Sequence, residues 1–314
     1  MAQTIGFVGV GAMGKEMVIN LAKKTPEGIK LYIHDVNEAA VQELVASFPE
    51  RISAKASAKD VAQSSEIIFT MLPEGRHVRA VYLDGPTSIL RADLAGKILL
   101  ECSTIDTATS LDVLAALRAA HPTAAFYDAP VSGGVLGARN ATLGIFVGAS
   151  DGGDDPHWAT LRALLGLLGR SVIACGGPSL GLVAKLSNNY LSGTIAIATA
   201  EAMNMGMRAG CNARVLARVI HAGSGQNHIA DKFNPVPGIS PDAPASHGYH
   251  GGFKVELMKK DMGLAVDMAK RVGAQMVLGD ASMRTYAATS ADPRCQSLDS
   301  RVVYRFIGGK EDWE

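Results

Sequence analysis

After Thr4, the residues up to 10 are all apolar or glycine, a run short enough for a buried strand. The period then changes, and Met13, Met17, Val18 and Leu21 fall on one face of a helix. The sequence TPEG at 25–28 breaks that helix, and residues 31–33 supply a second strand. Val41, Leu44, Val45 and Phe48 stand at i, i+3, i+4 and i+7, marking a second helix that Asn37 can cap. Further apolar runs at 67–72, 97–102, 125–128, 143–147 and 172–175 read as strands, mostly separated by helical segments. This alternation predicts an α/β fold over residues 1–177, a doubly wound parallel sheet with helices on both faces.

Past Pro178 the strand signal stops. Residues 179–209 form a stretch rich in Ala, Leu, Ile and Met, apolar on nearly every side at Leu182, Val183, Leu186, Leu191, Ile195 and Ile197. It predicts a long buried helix joining two domains. Helical patterns continue at 212–221, 253–272, 282–290 and 298–306, so residues 178–314 are expected to be all-helical. Between them, 223–252 is a Gly-, Pro- and Ser-rich loop, long enough to point to a functional role.

Composition narrows the function classes. Thirty basic residues balance thirty acidic ones, which leaves no electrostatic footprint for nucleic acid or an anionic membrane. No apolar run reaches the roughly 20 residues that span a bilayer. The first strand begins almost at Met1, which points to the cytoplasm, or to the mitochondrial matrix if a presequence was removed. The four cysteines stand far apart without a C-x-x-C pair, the pattern of reduced structural thiols. The eight histidines are scattered, and no metal is expected.

Gly9-Val-Gly11-Ala12-Met13-Gly14 follows a strand and opens a helix, the context in which this spacing binds a dinucleotide. Gly9 permits the turn, Gly11 admits the pyrophosphate, and Gly14 lets helix and strand approach. The free N–H groups of the helix N-terminus favour the phosphates. Asp35 stands at the end of the second strand, 21 residues after Gly14, where a carboxylate accepts from the ribose hydroxyls and repels a 2′-phosphate. The expected cofactor is therefore NAD.

Lys185, Asn188 and Asn189 share one face of the apolar helix at i, i+3 and i+4, a costly place for an ammonium and two amides unless they are partnered or used. Spacing alone also admits a solvent-seeking lysine and a structural amide pair. Ser132, Gly133 and Gly134 follow a strand at the carboxyl edge of the sheet, where ligands gather in open α/β folds. The hydroxyl and two N–H groups suit a carboxylate, although an ordinary glycine loop has the same composition.

Taken together, GFVGVGAMG (6–14), TMLP (70–73), ECSTID (101–106), DAPVSGG (128–134), the G-x3-K-x2-N-N array from Gly181 and LMKKD (257–261) resemble the β-hydroxyacid dehydrogenase family. The resemblance covers nearly the whole chain and is strongest to its 3-hydroxyisobutyrate branch, which the segments 234–238 and 251–253 match in particular. It implies a Rossmann-type domain followed by a helical substrate and oligomerisation domain. The implied activity is oxidation of 3-hydroxyisobutyrate to methylmalonate semialdehyde in valine catabolism. It further implies Lys185 as catalytic acid–base, Asn189 as its partner, and Ser132, Gly133, Gly134, Asn188 and Phe253 at the substrate. Leu72, Pro73, His77 and Thr104 would line the cofactor cleft, with Lys260 near the nicotinamide. Lys259, about 100° round the helix, would be exposed. His77 stands where relatives often carry Asn, and Gln226-Asn-His228 replaces a segment that often holds a tryptophan in relatives. A homodimer or homotetramer is expected. Other small-acid specificities of the same family, an imine reductase, and a catalytically inactive NAD-binding protein are the alternatives.

Overall fold

The computed structural model describes residues 3–151 and 154–313. Contacts divide the chain into two compact units, Met1–Lys185 and Leu186–Glu314. In the first, six strands form one parallel sheet. They are β1 (Thr4–Val8), β2 (Lys30–His34), β3 (Ile52–Ala54), β4 (Ile67–Thr70), β5 (Ile98–Glu101) and β6 (Ala125–Asp128), in the order β3-β2-β1-β4-β5-β6. The strand order reverses between β1 and β4, the position where doubly wound sheets open a crevice for ligands. Every residue of β4 and β5 is buried, as a parallel sheet covered on both faces requires.

Alternation along the strands divides the core in two. Phe7, Leu31, Ile33, Phe69 and Leu100 join one cluster with Met17, Val18 and Leu21 of α1 (Ala12–Lys24). Val8, Ile68 and Leu99 join the other. It is completed by α3 (Ala58–Ser64), α4 (Gly75–Tyr82) and α5 (Thr107–Ala120), which follow α2 (Glu38–Ser47) in the chain. Phe7 and Phe69 are register partners across β1 and β4, and their rings stack at 5.6 Å between centroids.

Two differences from the sequence reading concern the sheet. The three-residue strand β3 was not marked by the pattern, because only Ile52 of it is buried. The later strands do not extend the parallel sheet either. β7 (Val131–Ser132), β8 (Leu143–Val147) and β9 (Gly169–Ala174) form a separate three-stranded sheet, with β7 antiparallel to β8 and β9 parallel to it. Apolar runs identify strands but not their partners. The intervening helices are α6 (Gly134–Arg139) and α7 (Trp158–Leu165).

Helix α8 (Leu180–Arg208) runs 29 residues without a break and passes from the first unit into the second. The second unit continues with α9 (Ala213–Ala222), α10 (His228–Lys232), α11 (Val255–Arg271), α12 (Gly279–Ala291) and α13 (Val303–Phe306). Its core gathers Met203, Val236, Tyr249, Met258, Met262, Tyr286 and Tyr304. The buried phenols are served by carbonyls, Tyr249 OH donating to Pro235 O at 2.8 Å and Tyr286 OH to Gly193 O at 2.9 Å.

Two further expectations need correction. The segment 223–252 is not structureless: it holds α10 and a 3-10 turn at Pro244–His247. Asn234, fully buried, bonds Ala230 O and Val236 N, so the Gly- and Pro-rich composition encodes turns packed on the core. Nor is α8 buried all round, since Leu191 and Met205 are 56% and 71% exposed. No helix among the described residues is long and apolar enough to cross a membrane.

The packing of α1 against β1 rests on Gly14, where an added Cβ would run into the carbonyl oxygen of Gly9. Gly14→Ala should therefore cost about 1–3 kcal/mol of unfolding free energy, read as a lower urea midpoint at unchanged slope. An unaltered midpoint would show that helix and strand can separate freely.

Candidate active site

The turn after β1 is shaped by its neighbours. Gly9 has φ +95° and donates its N–H to His34 O at 2.9 Å, and a side chain there would strike the carbonyl of Met71. Gly11 caps α1 without a side-chain hydrogen bond, and an added Cβ would meet nothing within 4 Å. Gly11 and Ala12 are exposed, so the first amides of α1 face open space, while Met13 leans on the core. Asp35 follows β2, with Oδ2 accepting from Val10 N at 2.7 Å and Oδ1 from Asn37 N at 2.8 Å. The carboxylate is thus pinned beside the glycine turn. An uncapped helix start and a fixed, half-buried carboxylate fit a dinucleotide.

Leu72, Pro73 and Thr104 lie in the turns that leave β4 and β5. These turns are tied together, since Leu72 N donates to Ser103 Oγ at 2.7 Å and Ser103 N to Glu101 Oε1 at 2.9 Å. Glu101 is fully buried at the end of β5, and burial pushes its carboxyl up to about 8. His77, in the first turn of α4, has a buried Nδ1 with no hydrogen-bond partner among the described residues.

Asp128 ends β6 in register with Glu101. Its Oδ1 accepts from Ser179 N at 2.7 Å and its Oδ2 from Leu182 N at 2.8 Å, so one carboxylate holds the start of α8. Burial raises its pKa, and the amides it accepts from oppose that rise. Gly148 and Gly181 make room, because a Cβ at either would press on this carboxylate. The expected glycine loop beyond it is instead the strand residue Ser132 followed by Gly133 and Gly134 at φ +129° and +62°, opening α6. Lys185, one turn after Leu182, is 5% exposed and closes this unit.

In the second unit, Asn189 is 7% exposed, and its Nδ2 donates to Asp261 Oδ2 at 2.6 Å. Asn188 is exposed and reaches Asn189 Oδ1 at 3.5 Å. Lys260 Nζ stands 3.4 Å from Asp261 Oδ1, an ion pair by distance, while Lys259 is exposed. Phe253 is half-buried against the core, with its N–H on Asp299 Oδ2 at 2.7 Å. The Phe233 ring lies 5.0 Å from the Arg301 guanidinium and 5.4 Å from the His228 ring.

Glu101, Asp128 and Asp261 lie within the motifs above, and the sequence pattern points to no role for them. Glu101 and Asp128 are each a single carboxylate closing an apolar strand, and Asp261 is a buried carboxylate on α11. That was the available signal.

The chain matches the model of the NAD binding domain of 6-phosphogluconate dehydrogenase over residues 4–177. Over residues 180–307 it matches that described as NAD-binding of NADP-dependent 3-hydroxyisobutyrate dehydrogenase. It is 38% identical to a 3-hydroxyisobutyrate dehydrogenase of Pseudomonas aeruginosa, covering 98% of this chain and 99% of that protein. An NAD-dependent L-serine dehydrogenase of the same organism is also 38% identical, with 90% of each chain covered. A solved structure of Mycobacterium tuberculosis 3-hydroxyisobutyrate dehydrogenase with L-serine superposes with a TM-score of 0.88 at 31% identity, covering 98% of this chain and 99% of that one.

The anchoring of α8 can be measured alone. Asp128→Ala strands two buried amides and should cost about 2–4 kcal/mol of unfolding free energy in urea. A loss below about 0.5 kcal/mol would show that the helix start is held by other means.

Proposed function

Since the chain belongs to the β-hydroxyacid dehydrogenase family of NAD-binding oxidoreductases, we propose that it oxidises 3-hydroxyisobutyrate to methylmalonate semialdehyde, with Lys185 as general base. The reading rests chiefly on one observation. Lys185 and Asn189 are both buried, one turn apart on a single apolar helix, where an ammonium and an amide are costly unless they are partnered or used.

Bound NAD would supply the acceptor for the hydride that leaves the carbinol carbon. Lys185 Nζ takes the hydroxyl proton as the hydride departs and returns it in the reverse direction. Asn189 presents its carbonyl oxygen or remaining N–H to the same hydroxyl, its amide turned by Asp261. Ser132 Oγ with the N–H groups of Gly133 and Gly134 receives the substrate carboxylate, and Phe253 offers apolar contact to the 2-methyl group. Gly9 and Gly14 shape the glycine turn, where Gly11, Ala12 and Met13 receive the pyrophosphate, and Asp35 receives the adenine ribose. Leu72, Pro73, His77, Thr104 and Lys260 serve the nicotinamide half. Asp35 favours NAD over NADP, because a 2′-phosphate would meet a carboxylate already fixed by two amides.

A second reading, oxidation of L-serine, is favoured by the L-serine dehydrogenase relative and by the ligand named with the solved structure. The two separate in one assay series of C3–C5 hydroxy acids. 3-Hydroxyisobutyrate with NAD should give a higher kcat/KM than serine, glycerate or 4-hydroxybutyrate. Unbranched 3-hydroxypropionate should trail by roughly 10–200-fold, the worth of one methyl group. Lys185→Ala should lose at least about 10³-fold in kcat while still binding NADH. Serine outperforming 3-hydroxyisobutyrate would select the second reading, and a Lys185→Ala variant with a tenth of parental turnover would remove the lysine from the chemistry.

The exposed apolar residues of α8, Leu191 and Met205, further support association of the chain with a second copy, as a homodimer or homotetramer. Sedimentation at micromolar concentration should show a species of at least twice 32.8 kDa, and a monomer of that mass would contradict the association.

A further inference from the structure

We propose that Glu101 is a positioning residue of the cofactor site, its buried carboxyl setting the turn after β5 directly and the turn after β4 through Ser103. The proposal rests on the reading of Leu72, Pro73 and Thr104 as cofactor-lining residues.

The strand pattern places Glu101 at this junction. In β5, Ile98 and Leu100 face one half of the core and Leu99 the other, so Glu101 shares the Leu99 face, under α4 and α5. Its register partners are Thr70 on β4 and Asp128 on β6. A row of three polar side chains therefore crosses the carboxyl ends of three adjacent strands, β4, β5 and the edge strand β6. Around it the bonds run in sequence: Glu101 Oε1 accepts from Ser103 N at 2.9 Å, and Ser103 Oγ accepts from Leu72 N at 2.7 Å. Thr70 Oγ1 lies 3.5 Å from the same Oε1 and 3.0 Å from Tyr82 OH. Without Glu101, Ser103 loses the bond that fixes its backbone, and its hydroxyl is then less firmly placed to accept from the β4 turn.

The geometry also sets the form of the carboxyl. Oε2 is buried with no hydrogen-bond partner among the described residues. A bare oxygen costs far more on a carboxylate than on a neutral acid. Asp128, Tyr82 and Cys102 are the titratable groups that act with it from β6, α4 and the end of its own strand. Asp128 accepts two amides at α8 and is the better served as an anion, which leaves Glu101 as the protonated member of the pair. Its pKa near 8 agrees with that assignment.

The neutral form has a consequence separate from catalysis. Between the ordinary carboxyl range and about pH 8, the folded chain keeps a proton that the unfolded chain has released. Stability from this group therefore falls as pH rises through that window and levels off above it.

Three variants test the proposal: Glu101→Gln, which keeps a neutral group with a carbonyl oxygen, Glu101→Ala and Ser103→Ala. NADH affinity, measured by fluorescence, should stay within about threefold of the parent for Glu101→Gln. It should weaken about 5- to 20-fold for the two alanine variants, the order expected for one or two lost hydrogen bonds. With saturating NAD, kcat of the alanine variants should remain within about threefold, so the loss appears in KM. The melting temperature of Glu101→Gln should match the parent near pH 5 and exceed it increasingly up to pH 8, about the point where the linkage ends. Parental NADH affinity in Ser103→Ala, or a Glu101→Gln variant as weak as Glu101→Ala, would overturn the proposal. So would a parent more stable than Glu101→Gln at pH 8. If Glu101→Ala does not fold, Glu101→Gln and Ser103→Ala decide the matter alone. A parent that binds no NADH overturns the cofactor reading, and this proposal with it.

Discussion

Two amide hydrogens at the start of α8 end on one carboxylate, that of Asp128, and the arrangement of the first unit follows from this anchor. Asp128 is the last residue of β6, and the chain leaves it directly for Ser132, Gly133 and Gly134. The helix it holds carries Lys185 one turn beyond the anchored amide of Leu182. The proposed carboxylate cradle and the proposed base are therefore referred to a single side chain. A buried carboxylate is tolerated here because free N–H groups and the positive end of a helix meet it. The glycines at 148 and 181 keep space around it that any side chain would fill.

A second constraint is the treatment of polar groups that cannot reach water. Glu101, Asp128 and Thr70 stand side by side at the carboxyl ends of the strands, in a sheet whose remaining central positions are apolar. Glu101 has one bonded oxygen and one bare oxygen, Asp128 has both oxygens on amides, and Thr70 lies against a buried phenol. In the second unit, Asn189 is matched to Asp261 at 2.6 Å. Groups perturbed in this way collect at functional sites, because the environments that shift protonation also fix geometry.

Much of the candidate site was legible in the sequence because the proposed chemistry needs residue types that stand out. Gly9, Gly11 and Gly14 recur at a spacing few other structures require, and Asp35 ends an apolar strand. Lys185 interrupts a helix of Leu, Ala and Ile. The inner strands β1, β4 and β5 were readable for the same reason, being mostly apolar on both faces. What stayed hidden depends on contacts distant in sequence. β3 has a single buried residue, and the separate sheet of β7, β8 and β9 is a matter of pairing, which an apolar run does not encode. The order in 223–252 comes from Asn234 and Tyr249 bonding their own neighbourhood, which composition alone presents as a loop. The exposed Leu191 and Met205 look, in a sequence, like any other core residue.

Under the proposed chemistry Lys185 and Asn189 act on one hydroxyl as a unit, and a double-mutant cycle on kcat reads whether they do. Lys185→Met, Asn189→Ala and the double variant would be compared at saturating NAD and substrate. If the two residues serve the same proton transfer, the double variant should be no slower than Lys185→Met alone, to within about threefold. Costs that multiply, leaving the double variant slower by the product of the two single losses, would show that the two residues act independently.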